Sequence, residues 1–225
     1  MTIILAIPAN HGVVLASDGQ ITYADGIRAT GKKIFQLNKK CLWAASGRDA
    51  LIQRIQEKLS PYREGEDSLA RLRDNLSQVI KRCVIELFQL DEQPPEDSFI
   101  FVEYTESGPK ILHIAVTGTP EWVTTGAFAI GIGRMFAHAL LQKYTYIIPD
   151  KIDVERASLL AYKVIEEAIA VGAFGLGHPI DIWQVSQEGI KNLNTYEISR
   201  LEDLSLVLRG IEINSFLKVS ENETN

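Results

Sequence analysis

The order of strand-like and helix-like segments constrains this fold most. Short runs of β-branched and aliphatic residues alternate with paired amphipathic helical patterns, in the order strands, two helices, strands, two helices, strands. Helices that come in pairs argue against a doubly wound parallel sheet, in which single helices alternate with single strands. The pattern therefore predicts an α+β fold in which two antiparallel sheets stack between two helical layers.

The predicted helices rest on apolar residues at helical spacing. The first pair covers 51–59 and 69–87, and the second pair begins near Met135 and at Val154, where Asp153 is the expected N-cap. A short helix is expected at 201–208. Strands are predicted at 2–7, 13–16, 21–23, 34–37, 41–45, 98–103, 111–116, 122–125, 128–130, 180–185 and 190–193.

Length and composition fit one globular domain that covers residues 1–225. The 225 residues are 46% hydrophobic and 23% charged, which is close to the usual globular mix. A chain of this length buries a sizeable core without disulfides or metals. Residues 216–225 are predicted to form a frayed C-terminal tail, because the final residues 220–225 are all polar.

Charge and hydropathy disfavour several classes of partner. The net charge is −6 and no cluster of Lys and Arg exceeds two in a row, so neither nucleic acid nor a membrane surface is an expected partner. No apolar run reaches the ~18 residues of a transmembrane helix, and the start of the chain lacks the basic region of a signal peptide. Cys41 and Cys83 lie in apolar stretches and are expected to be buried free thiols, which fits a reducing compartment and predicts a cytoplasmic protein.

The motifs of metal and phosphate sites are absent from the sequence. His11, His113, His138 and His178 are isolated, without the HxxxH or CxxC spacing that metal sites use. The glycine-rich segment 172–177 does not match a dinucleotide loop and follows a helix instead of a strand. The sequence therefore predicts no metal and no organic cofactor.

Thr2 is unusual by its position directly after the initiator methionine. Removal of Met1 would leave a hydroxyl and an α-amine on one residue. An α-amine has a pKa near ~7.7, so a useful neutral fraction exists at neutral pH to take the proton of the hydroxyl. Position two alone is a weak indication of catalysis, because threonine is common there.

Three further segments strengthen the indication. The stretches 12–22, 31–37 and 44–50 resemble the proteasome β-subunit family of N-terminal-nucleophile threonine hydrolases, and Ala-Ser-Asp-Gly-Gln at 16–20 is most similar to the bacterial HslV-type branch. The resemblance continues in family order through the glycines at 131 and 133, the Ala-rich helix from Asp153 and the strands at 180–190. It implies a four-layer αββα sandwich, threonine-type endopeptidase activity and a homo-oligomeric ring.

The resemblance also assigns roles to individual residues. Thr2 matches the nucleophile, Asp18 the acidic residue that orients a lysine, and Lys33 that lysine, whose charge would stabilise the deprotonated threonine oxygen. The alternative for Asp18 and Lys33 is an ordinary salt bridge. Ala45 matches a position, usually glycine, whose N–H serves the oxyanion hole. Lys32 is expected to point to the other side of its strand.

Three positions depart from the family pattern. Ile132 stands where the family has a serine between two glycines, and Ala173 and Leu176 align with an Asp and a Ser that hold the threonine amine. These apolar side chains cannot hydrogen-bond that amine. Either backbone groups and water replace them, or the activity is reduced or altered.

The expected function is hydrolysis of peptides or unfolded polypeptides by Thr2 after Met1 removal, inside a self-compartmentalising ring, with an ATP-dependent unfoldase as a possible partner. Two alternatives stay open. One is a catalytically silent structural ring subunit. The other is an amidase or transpeptidase of the same fold that acts on small amides.

Overall fold

The computed structural model describes residues 2–23, 26–88, 97–144, 151–172 and 175–222. Within these residues, one antiparallel sheet contains β1 (Ile4–Ala9), β2 (Gly12–Asp18), β10 (Phe128–Ile130), β11 (Ile180–Ser186) and β12 (Gly189–Asn192). Its strand order is β10-β1-β2-β11-β12. The N-terminal hairpin thus lies at the centre of this sheet, which buries the segment that carries Thr2.

A second antiparallel sheet contains β5 (Ile34–Gln36), β6 (Cys41–Ser46), β7 (Ser98–Thr105), β8 (Gly108–Ala115) and β9 (Pro120–Trp122), in that spatial order. A small ribbon of β3 (Gln20–Thr22) and β4 (Arg28–Thr30) connects β2 to β5. The helices are α1 (Asp49–Leu59), α2 (Leu69–Leu87), α3 (Arg134–Gln142), α4 (Val154–Ala170) and α5 (Thr195–Asn222).

Three apolar cores hold these elements together as four layers. Buried side chains of both sheets, including Leu15 and Ile100, meet in the middle of the molecule. The outer face of the first sheet packs on α3 and α4, and the outer face of the second sheet packs on α1 and α2. This arrangement confirms the predicted α+β sandwich of two sheets between two helical layers.

The N-termini of the two long central helices are capped in different ways. Asp153 accepts the N–H of Arg156 at 2.8 Å, as expected for the cap of α4. At the start of α2 the side chain of Ser68 makes no capping hydrogen bond, and the buried Glu103 of β7 instead accepts the N–H of Leu69 at 2.9 Å. A carboxylate from a distant strand thus replaces the local cap.

The C-terminal helix is longer than the sequence indicated. α5 runs from Thr195 to Asn222, beyond the helix expected at 201–208, and includes residues 216–222 of the segment expected to be frayed. Helix ends fray, so a helix here is compatible with the frayed tail expected at 216–225, which stays a prediction. The assignment of residues 1–225 to one domain stays a prediction.

Candidate active site

Thr2 precedes β1 and is nearly buried, with 8% of its surface exposed. Its carbonyl oxygen accepts the N–H of Gly133 at 3.3 Å. Gly131 has a φ of +90°, and a Cβ at this position would overlap that same carbonyl oxygen. The two glycines of the 131–133 turn therefore bring backbone, without side chain, directly against the candidate nucleophile.

Asp18 ends β2 and is fully buried. Its Oδ1 accepts the N–H of Ile3 at 3.0 Å and the ammonium of Lys33 at 2.6 Å. Its Oδ2 accepts the N–H groups of Gln20 and Gly177, each at 3.3 Å. Four donors from four parts of the chain thus fix this carboxylate, and one of them is the residue next to Thr2.

Lys33 precedes β5 and is 6% exposed. Burial lowers the pKa of Lys33, and the attraction and hydrogen bond of Asp18, with a further attraction from Asp49, offset only part of that effect. The amine is therefore easier to deprotonate than a lysine in water. A lysine with a lowered pKa beside a candidate nucleophile is typical of a functional site, although structural ion pairs also shift pKa values.

The neighbouring Lys32 makes a different contact. Its ammonium lies 5.2 Å from the ring centroid of Trp183, and its side chain is exposed. The two lysines thus have different partners, although both line the cavity described below, so the expectation that Lys32 points to the other side of its strand is not confirmed. It is Lys33 that pairs with Asp18.

Thr2 and Lys33 border one open cavity of about 640 Å³, and Asp18 is joined to this site through its ion pair with Lys33. Its walls come from the β3 segment, the strands β5 and β6, and the first half of α1. The lining residues are Thr2, Ile21, Thr22, Tyr23, Lys32, Lys33, Phe35, Ala45, Gly47, Arg48, Asp49, Ile52, Gln53 and Gln56. The structure therefore brings Thr2 and Lys33 to one cavity with room for a substrate side chain, and Asp18 holds Lys33 from beneath its surface.

The predicted oxyanion-hole donor needs correction. The N–H of Ala45 donates to the carbonyl of Lys33 at 3.3 Å, as part of the pairing of β6 with the segment before β5, so it is not available to an oxyanion. Gly47, two residues further on, also lines the cavity. Its N–H has no hydrogen-bond partner within the described parts of the chain. The residue types of 44–47 do not indicate that β6 ends at Ser46, between Ala45 and Gly47.

The three departures from the family pattern lie in different surroundings. Ile132 is 48% exposed between the glycines that contact Thr2. Leu176 is buried in the core between the first sheet and its helices, so it has an apolar packing role. Ala173 lies outside the described residues. The backbone on either side of Leu176 makes polar contacts. The carbonyl of Gly175 accepts from the side chain of Gln20 at 2.6 Å, and the N–H of Gly177 donates to Asp18.

No histidine or cysteine of the described residues lines the cavity of Thr2. His113 contacts Ser98 through Nε2 at 2.6 Å, and His178 lies 3.2 Å from Glu166. Cys41 and Cys83 are buried and form no disulfide. Over the described ranges, no group of three or more His, Cys, Asp and Glu side chains is placed to hold a metal ion.

No helix in the described part of the chain combines the length and the apolar character that a membrane span requires.

Comparison with solved structures supports the architecture. The Anbu (Gly-1) mutant from Hyphomicrobium sp. strain MC1 superposes with a TM-score of 0.74, at 16% sequence identity, over 97% of each chain. At this identity the likeness concerns the fold. A search of curated proteins gives no significant match.

The layered fold and the family comparison together place this chain in the class of N-terminal-nucleophile hydrolases of the proteasome type. The model of the Proteasome subunit family matches residues 2–185, well over half of the sequence. The chain therefore belongs to the proteasome subunit family, as its resemblance indicated.

Proposed function

We propose that this chain is a threonine-type endopeptidase in which Thr2, after removal of Met1, attacks the carbonyl of a peptide bond. The observation that supports this most is that Lys33, held by the buried Asp18, lies on the wall of the cavity that Thr2 also lines. An isolated buried ion pair contributes little net stability, because desolvation cancels much of its attraction. Its place beside a candidate nucleophile favours a catalytic role.

In the first step the Oγ of Thr2 forms a bond to the substrate carbonyl carbon, and its proton passes to the free α-amine of the same residue. The positive charge of Lys33 stabilises the oxygen as it loses the proton, and Asp18 keeps the ammonium in place. The C–N bond of the substrate then breaks and the leaving amine takes the proton. Water hydrolyses the resulting ester and regenerates Thr2.

The N–H of Gly47 is proposed to bind the oxyanion of the tetrahedral intermediate in place of Ala45. It lines the same cavity and, among the described residues, donates to no other group. A backbone donor that is fixed before the reaction stabilises developing charge without reorganisation, which is commonly worth ~100-fold or more in turnover.

The assembly and substrates are proposed from membership in the family. A homo-oligomeric ring in the cytoplasm would enclose the cavity, so that peptides and unfolded polypeptides reach Thr2 while folded proteins do not. An ATP-dependent unfoldase would supply such polypeptides. No nucleic acid, membrane or cofactor takes part in the proposed reaction.

A mass-spectrometric experiment tests the function directly. The purified chain is measured intact before and after treatment with a β-lactone, which acylates a threonine hydroxyl. We expect the mass without Met1, one lactone adduct on Thr2, hydrolysis of peptide–fluorophore substrates that the adduct abolishes, and a ring by native mass spectrometry.

Other results would support the alternatives. The apolar Ile132 and Leu176 favour a catalytically silent ring subunit, which would form the ring but retain Met1 or take no adduct. An amidase or transpeptidase would take the adduct and turn over small amides but not peptides. Absence of both adduct and hydrolysis would refute the peptidase proposal.

A further inference from the structure

Asp97 is a buried carboxyl group that the proposed reaction does not use. It lies directly before β7, with 6% of its surface exposed. Its Oδ1 accepts the N–H of Arg48 at 3.2 Å, and its Oδ2 has no hydrogen-bond partner in the part of the chain that the structure describes. A buried carboxyl oxygen without a partner costs free energy, so its presence calls for an explanation.

The carboxyl group packs against Gly47 as well as Arg48. A Cβ on Gly47 would overlap Oδ1 and Cγ of Asp97, and Gly47 has a φ of +155°, which L side chains rarely adopt. Glycine is therefore required here by the presence of Asp97, and the two residues hold each other in place. Gly47 is the same residue whose N–H faces no other partner among the described groups.

Asp97 also binds the backbone at the start of a helix. Arg48 is the N-cap residue of α1, but its side chain makes no capping hydrogen bond. The guanidinium instead lies over the ring of Phe88, 4.4 Å from its centroid. The carbonyl of Arg48 accepts the N–H groups of the first turn, and Asp97 accepts the N–H of Arg48 itself. Gly47 thus lies between two fixed neighbours, because Ser46 pairs with Ser98 in the sheet and the N–H of Arg48 is bound by Asp97.

The support for Asp97 is rigid. Its own carbonyl accepts the N–H of Val116 at 3.2 Å, and the next residue, Ser98, pairs with Ser46 across β6 and β7. A residue fixed by two strands can hold the adjacent loop in one position. Small displacements of such groups are costly, since about 1 Å of misplacement can lower a rate ~100-fold.

We propose that Asp97 is a positioning residue: by binding the Arg48 N–H and packing against Gly47, it holds Gly47 so that the Gly47 N–H can bind the oxyanion. This proposal rests on the peptidase function proposed above. In this role Asp97 must place a hydrogen-bond acceptor within reach of the Arg48 N–H, and its negative charge is not needed. Burial raises the pKa of Asp97, although the Arg48 N–H and charge partly offset it, which agrees with a carboxyl that serves by geometry.

Three variants of Asp97 test the role by their steady-state kinetics. Asp97→Ala removes the acceptor, Asp97→Glu moves it by one methylene, and Asp97→Asn keeps it in place. We expect kcat to fall at least ~10-fold in the first two with little change in KM, because an oxyanion develops only in the transition state. Asp97→Asn should retain kcat within about 3-fold, since an amide oxygen still accepts the N–H of Arg48.

Glu103→Ala is the matched control. Glu103 is equally buried and accepts the N–H of Leu69 at the start of α2, but it does not line the cavity of Thr2. It should lower the melting temperature about as much as Asp97→Ala while leaving kcat within about 3-fold. Faster hydrogen exchange of the peptide that contains Arg48 should accompany Asp97→Ala only.

The outcomes separate the two proposals. If the wild-type chain hydrolyses peptides and Asp97→Ala or Asp97→Glu keeps its kcat, the positioning role is wrong and the peptidase function stands. If wild type neither hydrolyses peptides nor takes a β-lactone on Thr2, both proposals fail. Should Asp97→Ala not fold, the comparison of Asp97→Glu with Asp97→Asn decides.

Discussion

The ammonium of Lys33 lies 2.6 Å from Oδ1 of Asp18, and both groups are almost inaccessible to water. The same Oδ1 accepts the N–H of Ile3, so the pair is linked through one backbone group to the residue after Thr2. This relationship connects the electrostatics of the site to the position of the nucleophile.

Thr2→Ala should abolish peptide hydrolysis and β-lactone labelling while leaving fold and assembly unchanged, because it removes only the attacking hydroxyl. Thr22→Ala is the matched control, since Thr22 also lines the cavity. It should remain active. Fluorogenic-peptide assays and native mass spectrometry check both variants. Ordinary hydrolysis by Thr2→Ala would rule out Thr2 as the nucleophile.

Lys33→Met should lower kcat by at least ~100-fold, the scale of a lost electrostatic group, whereas Lys32→Met should cost far less. Removal of Lys33 also leaves Asp18 buried without its cation, which costs about 3–5 kcal/mol in the free energy of unfolding. Adding Asp18→Asn to Lys33→Met should recover only part of that stability and no activity, because the new NH2 group would face a backbone N–H of Ile3, or those of Gln20 and Gly177. Equal kinetic losses from the two lysines would contradict the assignment.

The pH profile of kcat/KM should be bell-shaped. Activity rises with pH as the α-amine of Thr2 loses its proton, around the ordinary value of ~7.7. It falls again as Lys33 loses its charge, and because burial lowers the pKa of Lys33, this fall should begin below its ordinary value of 10.5. Initial rates measured across this pH range check the profile, because kcat/KM reports the ionisation of groups in the free enzyme. An alkaline limb that is unchanged in Lys33→Arg would show that another group titrates.

Gly131→Ala should lower activity at least ~100-fold, because its Cβ would overlap the carbonyl of Thr2 and displace the nucleophile. Gly126→Ala is the control, because it introduces the backbone strain of a positive φ without a contact to Thr2. Gly126 has a similar φ of +99°, but a Cβ there meets nothing within 4 Å. Both variants should lose ~1 kcal/mol or more from strain, and only the first should lose activity. Similar kinetics in the two would mean that the contact with Thr2 is unimportant.

Ile132 and Leu176 should respond differently to serine. Ile132 is half exposed, so Ile132→Ser should change stability by less than about 1 kcal/mol and raise kcat by offering a hydroxyl beside Thr2. Leu176 is buried in the core, and Leu176→Ser should cost about 3 kcal/mol or more. Thermal melts and rate measurements on each variant check this. A stable Ile132→Ser protein with unchanged or lower kcat would show that this position does not limit catalysis.

Much of the site was predictable from residue types at short range. The position of Thr2 and the motifs around Asp18 and Lys33 are local patterns, and the choice of Lys33 over Lys32 came from the resemblance to the family's motif. The paired helical stripes similarly predicted four layers, since each apolar face must be buried against another element. These features depend on neighbours in the chain and on period, both of which a sequence displays.

Other features required the tertiary structure because they join distant parts of the chain. Whether the N–H of Ala45 or that of Gly47 is available depends on where β6 stops pairing, and the partner strand decides this. Asp97 meets Gly47 only after β6 and β7 pair across about fifty residues of sequence. Leu176 faces the core because its segment folds back under the first sheet. The sequence by itself determined which residues could react, and tertiary packing decided which backbone groups are left to assist them.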